Sequence, residues 1–353
     1  MFDTLPRYTL RAALLTLLIA APAVAEAPLA TRPADSTTGL PAPATCSLSS
    51  QVQSLRRALK GGSPALQRYL RRQLRELAPS IPEAELRSAF EHESDPAMIA
   101  ELSGALAARM SRLTQPQALR APLLRAQSDP DPAARAAALR GLRGTATVEA
   151  MATLGVDYQQ LIRDPAPEVR KAVVGNLLSE NSDVYFGHDR AVSEKAIAVA
   201  LTAGRGPGAD PAQSARLLSG ISTEKVGHGA VSDLLALLAA PLSENPPELR
   251  AAIVTALGGV PASEAASVRT ALLAHYRQDR DREVRRAVLE ALCHLSLASA
   301  LPLLDSLRSI DSSLLPEIAA WQRALQTGLQ EWSLVRREKE RILPSTTTPP
   351  SSE

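Results

Sequence analysis

Residues 164–178 read DPAPEVRKAVVGNLL. A carboxylate, Asp164, stands six residues before Arg170, and Pro167 stands three before it. Ala172, Val173 and Leu177 follow at the spacing of one helical face, on a helix whose first turn carries Pro. The six-residue acid–Arg spacing recurs as Asp129/Arg135, Asp210/Arg216, Glu244/Arg250 and Asp279/Arg285, with Pro again three before the Arg at Pro132 and Pro247. Taken in order, the five Arg residues lie 35, 46, 34 and 35 positions apart. A period of about 35 signals stacked two-helix repeats. The expected fold is therefore all-α, an α-solenoid of antiparallel helix pairs with the Arg on each second helix.

Working outward, the units fall at 113–144, 145–180, 181–225, 226–261 and 262–298. An atypical first unit occupies 82–112, where Glu93, Asp95-Pro96 and Ile99 keep the beat with Ile in place of Arg. The 46-residue interval belongs to 181–225, whose Asn181–Asp189 and Gly204–Asp210 stretches read as enlarged loops. That unit also has Thr223 where the others carry an apolar residue. The repeat array thus spans 82–298, flanked by basic capping helices over 47–81 and C-terminal capping helices over 299–343. Leu314–Arg341 reads as one longer helix holding Trp321 and Trp332. Where Asp-Pro stands at a turn (Asp129-Pro130, Asp164-Pro165, Asp210-Pro211), Asp is expected to cap the helix that follows.

The termini read differently. Arg7 and Arg11 precede an apolar run, Ala12 to Val24, and Ala23-Val24-Ala25 has the small residues of a cleavage site. Residues 1–25 are expected to be a secretory signal peptide, which places the mature chain outside the cytoplasm, periplasmic or extracellular, with no membrane-spanning segment. Residues 26–46 form a Pro/Ala/Thr-rich linker and 344–353 a polar tail, both expected to be disordered. An oxidising compartment permits a Cys46–Cys293 bridge, though Cys293 beside Leu292 also reads as an ordinary small core residue.

Aromatic residues are only 3% of the chain against 45% hydrophobic, so the core must be built of Ala, Leu, Val and Ile. The net charge of +2 gives no global field to recruit nucleic acid, and export and scarce stacking residues argue the same way. Charge is concentrated locally. Residues 48–75 hold seven bases and no acid, and Arg68, Arg71, Arg72 and Arg75 mark one face of a helix opened by Ser63-Pro64. The alternatives there are a solvated face or a site for an anionic surface or partner.

The stretches DPAPEVRKAVVGNLL, NPPELRAAIVTAL (245–257), DREVRRAVLEAL (281–292) and DPDPAARAAALRGL (129–142) resemble HEAT repeats, of the short type also seen in phycobilisome-lyase-like proteins. The resemblance covers about 95–298, and 181–225 is its weakest part. It implies a concave and a convex face, with Asp and Arg forming ladders along the stack. An Arg fork can bridge carboxylates of its own and the adjacent unit. The ten ladder residues are accordingly expected to be structural.

Signals of chemistry are sparse. His92, His188, His228, His275 and His294 make no HExxH, and no G-x-S-x-G occurs. GRGPGAD at 204–210 lacks the Lys-Ser/Thr of a phosphate loop. Glu91-His92-Glu93 and His188-Asp189 with Asp183 read as polar surface before metal sites. No catalytic residue, metal or cofactor is assigned. The expected function is an exported, non-catalytic scaffold that binds a protein or peptide on its concave surface. One alternative, by fold analogy alone, is a lyase-type modifying enzyme, which a pocket in unit 181–225 with His188, Asp183 and Tyr185 converging would support. The other is a binder of an anionic envelope surface through the Arg-rich helix.

Overall fold

In a computed structural model, residues 47–109, 116–145, 147–183, 190–206, 208–221 and 228–344 are described, and all fall in one of the chain's two units, Cys46–Glu353. The expected signal peptide, the linker, Cys46, Tyr185, His188, Thr223 and the tail beyond Pro344 lie outside them, as does the side chain of Asp183.

Many helices open on Pro or on a capping side chain before an apolar stripe, as α2, α4, α6 and α11 do. In chain order they are α1 (Leu48–Gly61), α2 (Pro64–Leu77), α3 (Glu83–Glu91), α4 (Pro96–Ala108), α5 (Arg120–Ser128), α6 (Pro132–Gly141), α7 (Thr147–Leu154), α8 (Tyr158–Leu161) and α9 (Pro167–Asp183). They continue as α10 (Arg190–Ala203), α11 (Pro211–Gly220), α12 (His228–Leu238), α13 (Pro247–Leu257), α14 (Ala265–Gln278), α15 (Arg282–Ser296), α16 (Leu301–Ile310), α17 (Leu315–Gln326) and α18 (Trp332–Ile342). Among the described residues no strand forms.

The second helices stack in sequence: α4 on α6, α6 on α9, α9 on α11, α11 on α13, α13 on α15. Each first helix lies against its own second helix, as α3 on α4, α5 on α6, α10 on α11, α12 on α13 and α14 on α15. This is an α-solenoid of neighbouring helix pairs. The core runs between the two rows as one continuous cluster of Leu, Val, Ile and Ala, with Trp321, Tyr158 and Phe90 the largest fully enclosed side chains. Small residues set the spacing of the layers. A Cβ at Gly141 would run into the Ala100 carbonyl oxygen and Ser103, so α4 and α6 pack closer than any larger residue allows.

Two elements differ from the sequence reading. Unit 145–180 has a split first helix, because Gly155 at φ 69° ends α7 and Asp157 caps α8 by accepting from the Gln159 amide. The helix expected over 314–341 is two, because Gly328 at φ 78° ends α17 and the chain restarts as α18. Gly is the residue that takes such a turn without steric cost. Arg282–Ile310 is apolar and long enough, by composition, to cross a membrane. It instead breaks at Leu297, φ 44°, into α15 and α16, whose Val288, Leu292 and Leu304 belong to the core. Cys293 is a buried free thiol in α15, and burial raises its pKa well above the ordinary value.

Candidate functional site

The fourth residue of each second helix decides how neighbouring layers are joined. From α4 to α15 these residues are Ile99, Arg135, Arg170, Ser214, Arg250 and Arg285. Where Arg stands there, its fork spans two turns. Arg135 donates from Nη1 to the Asp129 carbonyl at 2.7 Å, and from Nε and Nη2 to both Asp164 carboxylate oxygens at 2.8 and 2.9 Å. Arg170 repeats this with the Asp164 carbonyl at 2.8 Å and Asp210 Oδ2 at 2.7 Å. Arg250 donates to the Asn245 carbonyl at 2.5 Å and to Asp279 at 2.7 and 3.0 Å. Arg285 lies 3.0 Å from Asp311. The Arg135, Arg170 and Arg250 rungs therefore each join a carbonyl of their own turn to a carboxylate of the next. Among the described residues the carboxylate and guanidinium six residues apart form no ion pair, which corrects the expectation that an Arg bridges a carboxylate of its own unit as well as one of the next.

The carboxylates also hold the turns. Asp129, Asp164 and Asp279 each accept, at 2.9 Å, the backbone amide two residues on. Such Asx turns precede the helix and do not cap it. The cap of α6 is Asp131, so the expected capping role of Asp129 and Asp164 is corrected; Asp210 does cap α11, accepting from the Gln213 amide.

Two rungs break, and each break follows from the fourth residue. Ile99 offers no donor to Asp129, and Arg125 of α5 fills the place at 2.8 Å while donating to the Phe90 and Glu93 carbonyls at 2.6 Å. In α11 the fourth residue is Ser214, whose buried hydroxyl donates to the Ala200 carbonyl at 2.8 Å. Arg216 sits two positions further on, because α11 starts at Pro211, five residues before it, where α6, α9, α13 and α15 start three residues before their Arg. Arg216 and Glu244 are both exposed, and among the described residues neither makes an ion pair. The structure thus removes both from the ladder.

Four members were not among the expected ladder residues: Arg56, Glu93, Arg125 and Asp311. Arg56 of α1 reaches Glu93 at 2.6 Å, Arg125 substitutes as above, and Asp311 closes the last rung while accepting from the Tyr276 hydroxyl at 2.6 Å. Asp311 stands 26 residues after Arg285, near the 29 that separate Arg135 from Asp164 and Arg250 from Asp279, so the signal that marks it is this forward spacing and not the acid six residues before each Arg. The Arg250–Asp279 pair is the most enclosed, with side chains 6% and 1% exposed. Burial would raise the Asp279 carboxyl, but Arg250, the Asp281 amide and His275 outweigh it and hold the pKa below the ordinary value. His275 Nε2 lies 3.1 Å from Asp279, and burial lowers its pKa against the pull of that carboxylate.

On α2 the four expected anion-binding residues divide. Arg71 lies 2.8 Å and Arg75 4.0 Å from Glu101, a buried carboxylate on α4. Arg72 lies 3.6 Å from exposed Glu76, and among the described residues Arg68 makes no ion pair. Leu66 and Tyr69 are also exposed, at 45% and 53%.

The remaining candidates stand apart. His92 Nδ1 is 2.8 Å from the Ser88 carbonyl, and Glu93 belongs to the first rung. His294 stacks on Trp332, which stacks on Trp321, at ring separations of 4.4 and 5.3 Å. Among the described residues no group of three or more His, Cys, Asp or Glu converges as a metal site. No protein-family model matches the chain, and no curated protein matches it either.

Proposed function

We propose that this chain is a non-catalytic, HEAT-like scaffold, exported from the cytoplasm, that holds another protein or peptide along the solvent face of its second-helix row. The observation that carries the reading is the make-up of that face. Ala97, Ala133, Gly175, Ala212, Ala251 and Thr255 lie exposed or half-buried on α4, α6, α9, α11 and α13. Short side chains let a partner's backbone approach over many layers, as extended solenoid surfaces do. Exposed Arg140, Lys171 and Arg216 supply charged anchors, and Arg is the base most enriched at binding hot spots.

Photo-crosslinking with a reactive amino acid at Thr255 or Ala212, against the same group at Ser309 on α16, tests the proposal. Partner adducts should form at the first two positions. Equal yield from Ser309 would overturn it.

A further inference from the structure

We propose that the outward face of α2 is a docking surface for an anionic phospholipid bilayer. It rests on different residues from the scaffold reading and does not require it.

The argument begins with burial. α2 has one fully buried residue, Leu74, and leaves most of its length in solvent. Two large apolar side chains one helical turn apart, Leu66 and Tyr69, stay exposed on it. Beside them Arg68, Arg72 and Arg75 are exposed, and Arg68, Arg71, Arg72, Arg75 and Glu76 line an open hollow of about 380 Å³. Four guanidiniums there face two carboxylates, Glu101 and Glu76, so positive charge remains in excess.

The chemistry selects the occupant. A lone, poorly buried helix carrying bases beside a Tyr and a Leu fits a plane, where the bases meet lipid phosphates and the apolar side chains enter the headgroup boundary. An acidic protein would match the charge but gives no reason for Leu66 and Tyr69 to stand in water beside the bases. Arg71 and Arg75 are held toward α4 by Glu101. Arg68 and Arg72 are therefore the contact charges.

The test is sedimentation of the full chain with phosphatidylcholine vesicles, with and without phosphatidylglycerol, at low and high salt. Binding should require phosphatidylglycerol and weaken steeply with salt. The R68Q/R72Q double variant should bind about 30-fold more weakly, with an unchanged melting curve. Leu66→Ser with Tyr69→Ser should weaken binding to anionic vesicles while keeping its salt dependence. Insertion through the apolar run at 12–24 would show itself as binding indifferent to lipid charge and to R68Q/R72Q, and that result overturns the proposal. So does failure on all vesicles with tight, Arg68-dependent binding to polyglutamate, which would assign the face to an acidic protein.

Discussion

At the scale of the residue, the difference between Arg250 and Arg216 tests the ladder. Both follow an acid by six positions, yet Arg250 is enclosed against Asp279 while Arg216 faces water. Arg250→Ala leaves a buried carboxylate without its partner and should cost about 3–5 kcal/mol. Arg216→Ala should shift stability by no more than about 0.5 kcal/mol. Paired denaturant melts measure both, and equal losses would remove the rung as a structural device. His294 gives a pH test. Burial against Trp332, reinforced by Arg336, lowers its pKa to about 4. The ordinary value is about 6.5, so between the two the unfolded chain binds a proton that the folded chain does not. The neutral ring's contribution is complete above about pH 6.5 and is lost as pH falls toward about 4, roughly 1–2 kcal/mol after allowance for partial solvent access. Melting temperature followed over that window should fall less steeply in His294→Gln than in the parent chain.

At the scale of the element, the second helices were legible because Pro, Arg and an apolar stripe recur together at 132–142, 167–177 and 247–257. The split of α7 from α8 and of α17 from α18 was not, since Gly155 and Gly328 announce a left-handed turn only once their φ values are known. The α11 register was hidden for a related reason. Asp210 and Arg216 keep the six-residue spacing, but the helix starts at Pro211, and the start determines which residue faces the next turn. Of the basic helix, the sequence showed the charge but not its division. Only the packing of α2 on α4 assigns Arg71 and Arg75 to Glu101 and leaves Arg68 and Arg72 outward. The stacked rings tie α18 to α17 and α15, with the Lys339 amine 5.6 Å above the Trp321 ring centre. Trp332→Ala should release α18, and limited proteolysis should then cut within 332–342 well before any other helix.

For the molecule as a whole, the missing rung at Ser214 and Glu244 is a seam. Repeat arrays gain stability from each unit and from each interface, so an interface with fewer bonds opens first. Among the described residues the α11–α13 contact keeps its apolar packing but has no Arg–carboxylate link like those of α6–α9 and α13–α15. Hydrogen exchange should resolve two cooperative blocks, α3–α11 and α12–α18, parting at this interface. A single block exchanging together would contradict the seam.

Every intact rung reaches forward, from a guanidinium to a carboxylate later in the chain, and Arg56 to Glu93 and Arg285 to Asp311 begin and end the series the same way. The stack therefore has a grain, and shortening it from opposite ends is not equivalent. Removing α1, and Arg56 with it, bares Glu93, whose charge is still cradled by the Ser94 and Asp95 amides at 3.0 Å. Cutting after α15 strands Arg285 over the ring of Tyr276 with no anion to answer it. Deletion series should thus tolerate losses at the front and collapse on losses at the back.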